Sequence, residues 1–316
     1  MIKNKIIIGS RGSKLAILYA EKARKTIVDY HINLNRDSID IKIIKTSGDI
    51  HHSKSLSEIG GKGLFSKQIE EELLDKKIDI AVHALKDLPS EETEGLETKI
   101  FLERNDPRDV FISLNYKSII DLKSRSVIGT SSFRRAAQLN ILKKDLNINL
   151  IRGNVDTRIN KLEQKEFDAI VLSYAGIKTL GLEKKISQVF SVEEMLPCVG
   201  QGVIALQTRK NDKEILNLIY KVNNPTTFNC VNAERTMLKT IEGNCDTAVG
   251  GLAAINNNLL TLKSELFSVD GKQRFFAKAS GKPEAAKEIG IKVGKELIIQ
   301  AGTAYKKKKY IQCTLL

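Results

Sequence analysis

The sequence predicts an α/β protein of three domains. Short β-branched runs alternate with amphipathic stretches of helical period along most of the chain, and open strand ends of this kind pair into parallel or mixed sheets. Three polar, turn-rich segments interrupt the alternation: ERNDPRD (103–109), MLPCVGQG (195–202) and VNNPTT (222–227). The length of 316 residues exceeds one ordinary core, at roughly 100–200 residues per domain.

IKNKIIIG reads as the first strand. KLAILYAEKARKTIVDY follows as a helix, with Leu15, Leu18, Ala23 and Ile27 as its apolar positions. IDIKIIKTSGD is a second strand, LFSKQIEEELLDKK a helix and IDIAVHALKD a third strand. The pattern restarts with VFISL, VIGTSS, FRRAAQLNILKK, INLIRGN, DTRINKLEQKE and DAIVLSYAG. From about residue 228 the chain changes character: a helical stretch, strands LLTLKSELF and RFFAKAS, then a helix KPEAAKEIGIKVGKELIIQ. That is a small α+β unit. No internal repeat at solenoid periods is visible.

Apolar residues at 41% and charged residues at 28% suit a chain that buries real cores. Lys plus Arg is 51 against 38 Asp plus Glu, a net charge of +13, which predicts anionic partners. Nucleic acid is not the expected one. Trp is absent, aromatics are 5%, and the basic residues are scattered, so no stacking platform is on offer. The Lys306–Lys309 run reads as a solvated end. Apolar runs such as Ile6–Ile8 fall far short of the roughly 20 residues that span a bilayer, and the N-terminus has no signal-peptide pattern. The expectation is a cytoplasmic protein without a membrane partner. Cys198, Cys230, Cys245 and Cys313 lack CxxC spacing and do not combine with His31, His51, His52 or His83 into a zinc pattern, so no metal site is expected. The ordinary role for each cysteine is a small buried thiol. Cys245 stands apart, in the polar, Gly-containing segment EGNCDTAVGG.

Ligands of open α/β sheets bind beyond the carboxyl ends of strands. Those ends carry Ser10, Arg11, Gly12 and Ser13; then Thr46, Ser47, Gly48 and Asp49; then Lys86 and Asp87. Further on come Thr130, Ser131 and Ser132 with Arg134 and Arg135, and Arg152, Gly153 and Asn154 with Arg158. Hydroxyls before a helix offer donors at its positive end, and Arg holds carboxylates or phosphates with a planar fork. Each Arg taken alone reads as a surface ion pair worth about 0–1 kcal/mol. Grouped at strand ends, they make a site for several negative charges. GGKG at 60–63 lacks the Walker spacing, and no GxGxxG follows a strand, so a polycarboxylate fits at least as well as a nucleotide. Asp87, amid this positive charge, suits proton transfer or stabilisation of a cationic intermediate; its bland alternative is a helix cap or ion pair. His83, inside an apolar strand, reads as a satisfied core imidazole.

Eight segments together resemble the hydroxymethylbilane synthase, or porphobilinogen deaminase, family: GSRGSKLA (9–16), GGKGLF (60–65), DIAVHALKDLP (79–89), ERNDPRD (103–109), GTSSFRR (129–135), RGNVDTR (152–158), VGQG (199–202) and EGNCDTAVG (242–250). They occur in family order with family-like spacing; beyond residue 250 only length and general character match. The resemblance implies two lobes like those of type II periplasmic binding proteins, with the site in their cleft, plus a small α+β C-terminal domain. The expected limits are 1–103 with 200–221, 104–199, and 222–316. It also implies a monomer that joins four porphobilinogen molecules head to tail, releasing ammonia each time, and then hydrolyses off the linear tetrapyrrole. The primer would be a dipyrromethane held by a thioether to Cys245. Asp87 would face the pyrrole nitrogens, assist loss of ammonia and stabilise the cationic azafulvene. Arg11, Ser13, Arg134, Arg135, Arg152 and Arg158 would hold acetate and propionate groups of cofactor and substrate. Lys86, Thr130, Ser131 and Ser132 would contact cofactor carboxylates. Lys62 and Phe65 would lie in a mobile loop hinged at Gly60, Gly61 and Gly63.

Four positions depart from the pattern. Ala84 replaces Ser, Thr179 replaces Arg, Asn244 replaces Gly and Ala248 replaces Pro. The first two remove a hydroxyl and a carboxylate clamp, which bears on efficiency. Asn at 244 suits a left-handed backbone better than most residues. The competing reading is a two-lobed protein that binds a small anion reversibly and leaves Cys245 idle.

Overall fold

The computed structural model describes residues 5–46, 66–244 and 246–306. Its elements form three sheets. In the first, β1 (Ile6–Arg11), β2 (Ile39–Ile44) and β3 (Ile80–Ala84) run parallel, and β10 (Ile204–Arg209) lies antiparallel between β3 and β4 (Leu96–Phe101). The order is β2-β1-β3-β10-β4. In the second, β6 (Val127–Gly129), β7 (Asn147–Asn149) and β8 (Ala169–Ser173) are parallel, and β5 (Asp109–Ile112) lies antiparallel between β8 and β9 (Gln188–Val189). The order is β7-β6-β8-β5-β9. The two sheets therefore share one topology, and in each the antiparallel strand is the one entered from the other lobe. The sequence carries no repeat that announces this.

The strands bury β-branched side chains on both faces, as sheets sandwiched by helices do: Ile6 and Ile8 on one face with Ile44 on the other in the first lobe, Val110 and Ile112 on one face with Val171 on the other in the second. Helix α1 (Lys14–Asp29) starts at Ser13, whose hydroxyl accepts from the Ala16 N–H at 3.3 Å. Its buried stripe is Tyr19, Ala20, Ala23 and Ile27. Leu18, expected inside, is 40% exposed, because the i, i+4, i+8 row through Tyr19 faces the sheet instead. Helix α2 (Lys67–Leu74) precedes β3; α3 (Phe133–Leu142) follows β6, α4 (Val155–Glu163) follows β7 and α5 (Tyr174–Thr179) follows β8. Helix α6 (Lys213–Tyr220) follows β10.

The third unit is an antiparallel meander of β11 (Val249–Asn256), β12 (Leu259–Phe267) and β13 (Arg274–Gly281). It packs against α7 (Pro225–Thr240) and α8 (Ala286–Ala301) through one core that includes Met237, Leu262, Val293 and Leu297. The two helices lie so close that a Cβ on Gly290 would come within 2.4 Å of the Ala233 carbonyl. No helix among the described residues is long and apolar enough to cross a membrane.

Candidate active site

The carboxyl ends of both parallel strand sets meet at the crossovers between the lobes. From the first lobe, β1 ends on Arg11, and β3 runs into a single 3-10 turn, Leu85–Asp87, that presents Lys86 and Asp87. A cavity of about 50 Å³ opens beside Asp87, lined by Arg11, Ser13, Tyr19, Ser66, His83 and Asp87 among others. Burial, followed by the nearby Asp87 charge, pushes the Tyr19 phenol up to about 12, so it stays neutral.

From the second lobe, β6 delivers Thr130, Ser131 and Ser132 to the start of α3. The Thr130 hydroxyl accepts from the Ser132 N–H at 3.2 Å, and the Ser132 hydroxyl accepts from the Arg135 N–H at 3.4 Å. Both hydroxyl oxygens thus cap the turn, which orients the whole segment. Arg134 and Arg135 are 3% and 6% exposed, and they are bound. Arg134 Nη1 donates to Asp109 Oδ2 and to the Leu196 carbonyl, both at 2.8 Å. Arg135 donates to Asp109 Oδ1 at 2.7 Å and to the Val171 carbonyl at 3.0 Å. This is a buried triad, where the sequence alone suggests surface pairs or open clamps. Among the described residues, Arg134 Nε has no hydrogen-bond partner although it is buried, and the same holds for Arg152 Nε.

Arg152 follows β7, and Arg158 sits on α4 with Nε donating to the Gly153 carbonyl at 2.8 Å. Burial, then the charges of Arg135 and Arg152, draw the Arg158 guanidinium down to about 10, with Asp87 opposing. It remains a cation at neutral pH. Arg135 and Arg152 thus act on Arg158 as like charges, and Asp87, from the other lobe, acts on it as a counter-charge. Lys86 completes the ring. Its ammonium donates to Gln201 Oε1 at 3.3 Å, and burial, then Arg135, draw it below the usual lysine range. Such a cluster of cations is relieved by polyanionic ligands.

Two residues at the centre escape sequence reasoning. Asp109 and Gln201 are both 0% exposed and hold the site from beneath. Both lie in segments that read as interdomain breaks, and only the excess of Arg beyond them hints at a buried acid. Cys198, in the same return segment, sits beside Lys86, Arg134 and Arg135; burial raises its thiol pKa and these cations oppose. Thr179 turns its hydroxyl into its own helix, donating to the Ala175 carbonyl at 2.8 Å.

Gly60, Gly61, Lys62, Gly63, Phe65 and Cys245 lie outside the described residues. The turn on either side of Cys245 is closed by Asn244, whose Oδ1 accepts from the Asp246 N–H at 2.9 Å. Among the described residues of this turn, the left-handed backbone belongs to Glu242 (φ 54°), not to Asn244. Asn244 works through its side chain, as in an Asx turn.

A family model described as porphobilinogen deaminase, dipyromethane cofactor binding domain, matches residues 6–217, and one for the porphobilinogen deaminase C-terminal domain matches residues 228–298. Porphobilinogen deaminase of Syntrophomonas wolfei is 41% identical over 297 residues, covering 94% of this chain and 96% of that protein. Its counterpart from Staphylococcus carnosus is 42% identical over 289 residues, covering 90% and 93%. A periplasmic substrate-binding protein of an ABC transporter from Coxiella burnetii superposes with a TM-score of 0.44 at 13% identity, over 70% of this chain and 93% of that one. With both family models matched in order along the chain, the chain belongs to the porphobilinogen deaminase family.

Proposed function

We propose that this chain carries out hydroxymethylbilane synthesis in the cleft between its two lobes, with Asp87 as the catalytic residue. The single observation that carries the assignment of roles is one carboxylate, Asp87, acting across the lobes on Arg158, a cation on which Arg135 and Arg152 also press. Porphobilinogen and its oligomers are polycarboxylates that pass through cationic species. A site for them needs many cations for the side arms and one anion for the reacting centre.

The dipyrromethane cofactor of the family fits the donors present. Buried Arg134 Nε and Arg152 Nε lack partners among the described residues, and the crowded guanidinium of Arg158 favours an anion nearby. When bound, the cofactor supplies the primer on which the chain grows. Cys245 would hold it by a thioether. Lys86, Thr130, Ser131, Ser132, Arg134, Arg135 and Arg158 would receive its carboxylates. For Arg134 and Arg135 this contact adds to their bonds with Asp109, so they act through position as well as charge.

Arg11, Ser13 and Arg152 would orient the acetate and propionate of the incoming porphobilinogen. Asp87 would hold the pyrrole N–H and stabilise the positive charge that develops as ammonia leaves. Electrostatic stabilisation of this kind is worth several kcal/mol, about 10²–10³ in rate for one donor elsewhere. Gly60, Gly61, Lys62, Gly63 and Phe65 would form a loop over the cleft. The domain limits 1–103 with 200–221, 104–199 and 222–316 belong to the same proposal, as do a cytoplasmic location, a monomeric state and the absence of nucleic-acid or membrane partners.

The test is the intact mass of the purified protein, followed by peptide mapping. An excess equal to two condensed porphobilinogen units on the peptide containing Cys245 is expected. Asp87→Asn should keep that adduct and lose turnover by at least about 10²-fold. Turnover near wild type in this variant would overturn the role of Asp87. An unmodified protein that takes up no adduct from porphobilinogen would instead favour reversible anion binding.

A further inference from the structure

Beneath the Asp87 cavity runs a buried polar chain that the roles above leave unused. Thr93 Oγ1 donates to Glu70 Oε2 at 2.9 Å. Gln207 Nε2 donates to Glu70 Oε1 at 2.9 Å, and Gln207 Oε1 lies 3.2 Å from His83 Nε2. Glu70, His83 and Gln207 are 8%, 7% and 1% exposed. The three come from α2, β3 and β10, and two of the links span more than a hundred residues of sequence.

The chain has a direction. Gln207 gives its amide N–H₂ to Glu70, whose carboxyl oxygen accepts. That turns the amide oxygen toward His83. An oxygen facing Nε2 requires that Nε2 carry the proton, which leaves Nδ1 as the acceptor of a neutral ring. His83 also lines the cavity that holds Asp87. It is the satisfied core imidazole that the sequence suggests, and it also borders this cavity.

We infer that His83 is a substrate-contact residue: its relay through Gln207 and Glu70 fixes the Nε2–H tautomer, so that Nδ1 accepts an N–H from the primary amine of the substrate in the cavity that His83 shares with Asp87. This rests on the proposed function. The pairing is chemically complementary. A substrate bearing an amine and carboxylates meets Asp87, a neutral acceptor and Arg11 within one cavity. Burial above all draws the imidazole down to about 4, with the Arg11 charge adding to it and the Gln207 bond opposing. The ring therefore stays an acceptor at neutral pH and never repels an ammonium there. Glu70 and Gln207 are positioning residues that act through the ring.

The test combines a tautomer measurement with kinetics on the holoenzyme. Two-bond ¹⁵N correlation spectra should show the His83 proton on Nε2, and Glu70→Gln should convert it to a mixture, because a glutamine at 70 no longer dictates the orientation of the Gln207 amide. His83→Gln retains a group at the Nε2 end, whereas His83→Asn retains an acceptor at the Nδ1 end. The KM for porphobilinogen should therefore rise about tenfold more in His83→Gln than in His83→Asn, the scale of one hydrogen bond to a charged group. A proton found on Nδ1, or equal KM values for the two variants, would overturn the inference. Absence of porphobilinogen turnover in the wild-type protein would instead overturn the proposed function, and the tautomer would still decide the relay.

Discussion

Gln201 and Asp109 meet between the lobes, the Gln201 amide donating from Nε2 to Asp109 Oδ1 at 2.9 Å. Asp109 opens β5, just after the chain enters the second lobe; Gln201 lies where the chain returns toward β10. The same amide donates to the Pro107 carbonyl at 2.6 Å, and its oxygen accepts from Lys86. The two crossovers are thus tied to each other and to the turn that carries Asp87. Any movement of one lobe against the other has to respect this tie.

Asp109→Asn should destabilise the protein by about 3–5 kcal/mol, because it leaves the buried Arg134 and Arg135 without their counter-charge. Burial alone would raise the Asp109 carboxyl pKa, but the two guanidinium groups hold it well below the usual carboxylate range. A folded-state value below the unfolded one gives stability that is complete above the unfolded pKa of about 3.9. It is lost as pH falls through that value toward the folded one. Denaturant unfolding from pH 7 down to pH 3 checks this. The variant should start lower and show a shallower acid limb than wild type.

Glu234→Gln should loosen the third unit. Glu234, on α7, is 0% exposed and accepts from Arg104 at 2.5 Å and from the backbone N–H groups of Gly200 and Ala253, each at 2.8 Å. One carboxylate therefore joins the first crossover, the return crossover and β11. Removing its charge strands Arg104 and should cost about 3 kcal/mol or more. Urea unfolding followed by hydrogen exchange is the measure, with the meander losing protection before either lobe.

Much of this architecture is legible in the sequence, and the omissions share a cause. The alternation of strand and helix from Ile6 to Ser173 is a local signal, carried by period 2 and period 3.6 in adjacent residues. Strand β4 and the two-residue β9 are not legible in that way; their register is set by distant antiparallel partners. The same holds at the site. The strand-end positions of Arg11, Lys86, Asp87 and Arg152 follow from the local pattern. Asp109 looks like part of a linker, because the charges that justify burying it lie 25 and 26 residues further on. The Glu70–Gln207 link, 137 residues long in sequence, leaves no local trace at all.

Arg158→Gln should act with opposite signs on the empty and the loaded protein. The Arg158 guanidinium is drawn down by burial and by its cationic neighbours, so its charge is an expense in the absence of an anion. In a Cys245→Ser background, which carries no thioether under the proposed function, the substitution should raise the melting temperature. In the protein with Cys245 intact, it should slow uptake of the adduct from porphobilinogen by about tenfold, the scale of one charge-assisted contact. A lower melting temperature in the Cys245→Ser background would mean that Arg158 supports the fold rather than the ligand.

Gly202→Ala should disturb the junction of the two crossovers without touching a charged group. Gly202 has φ +83°, where L side chains are rarely found, and a Cβ there would come within 2.5 Å of the Asn105 carbonyl oxygen. That oxygen belongs to the opposite crossover, and the Asn105 N–H in turn donates to the Gly202 carbonyl at 2.9 Å. Rigid backbone on both sides leaves the methyl nowhere to go, so strain and separation of the crossovers add. The expected cost is about 2 kcal/mol or more, beyond the roughly 1 kcal/mol that a left-handed backbone alone asks of alanine. Turnover should fall with it, since the displaced segment carries Gln201 and so the contact to Lys86. Gly181→Ala is the control: its φ is also positive, at +68°, but nothing lies within 4 Å of a Cβ there. If both variants lose the same stability and Gly202→Ala keeps full activity, the close approach of the crossovers has no mechanical role.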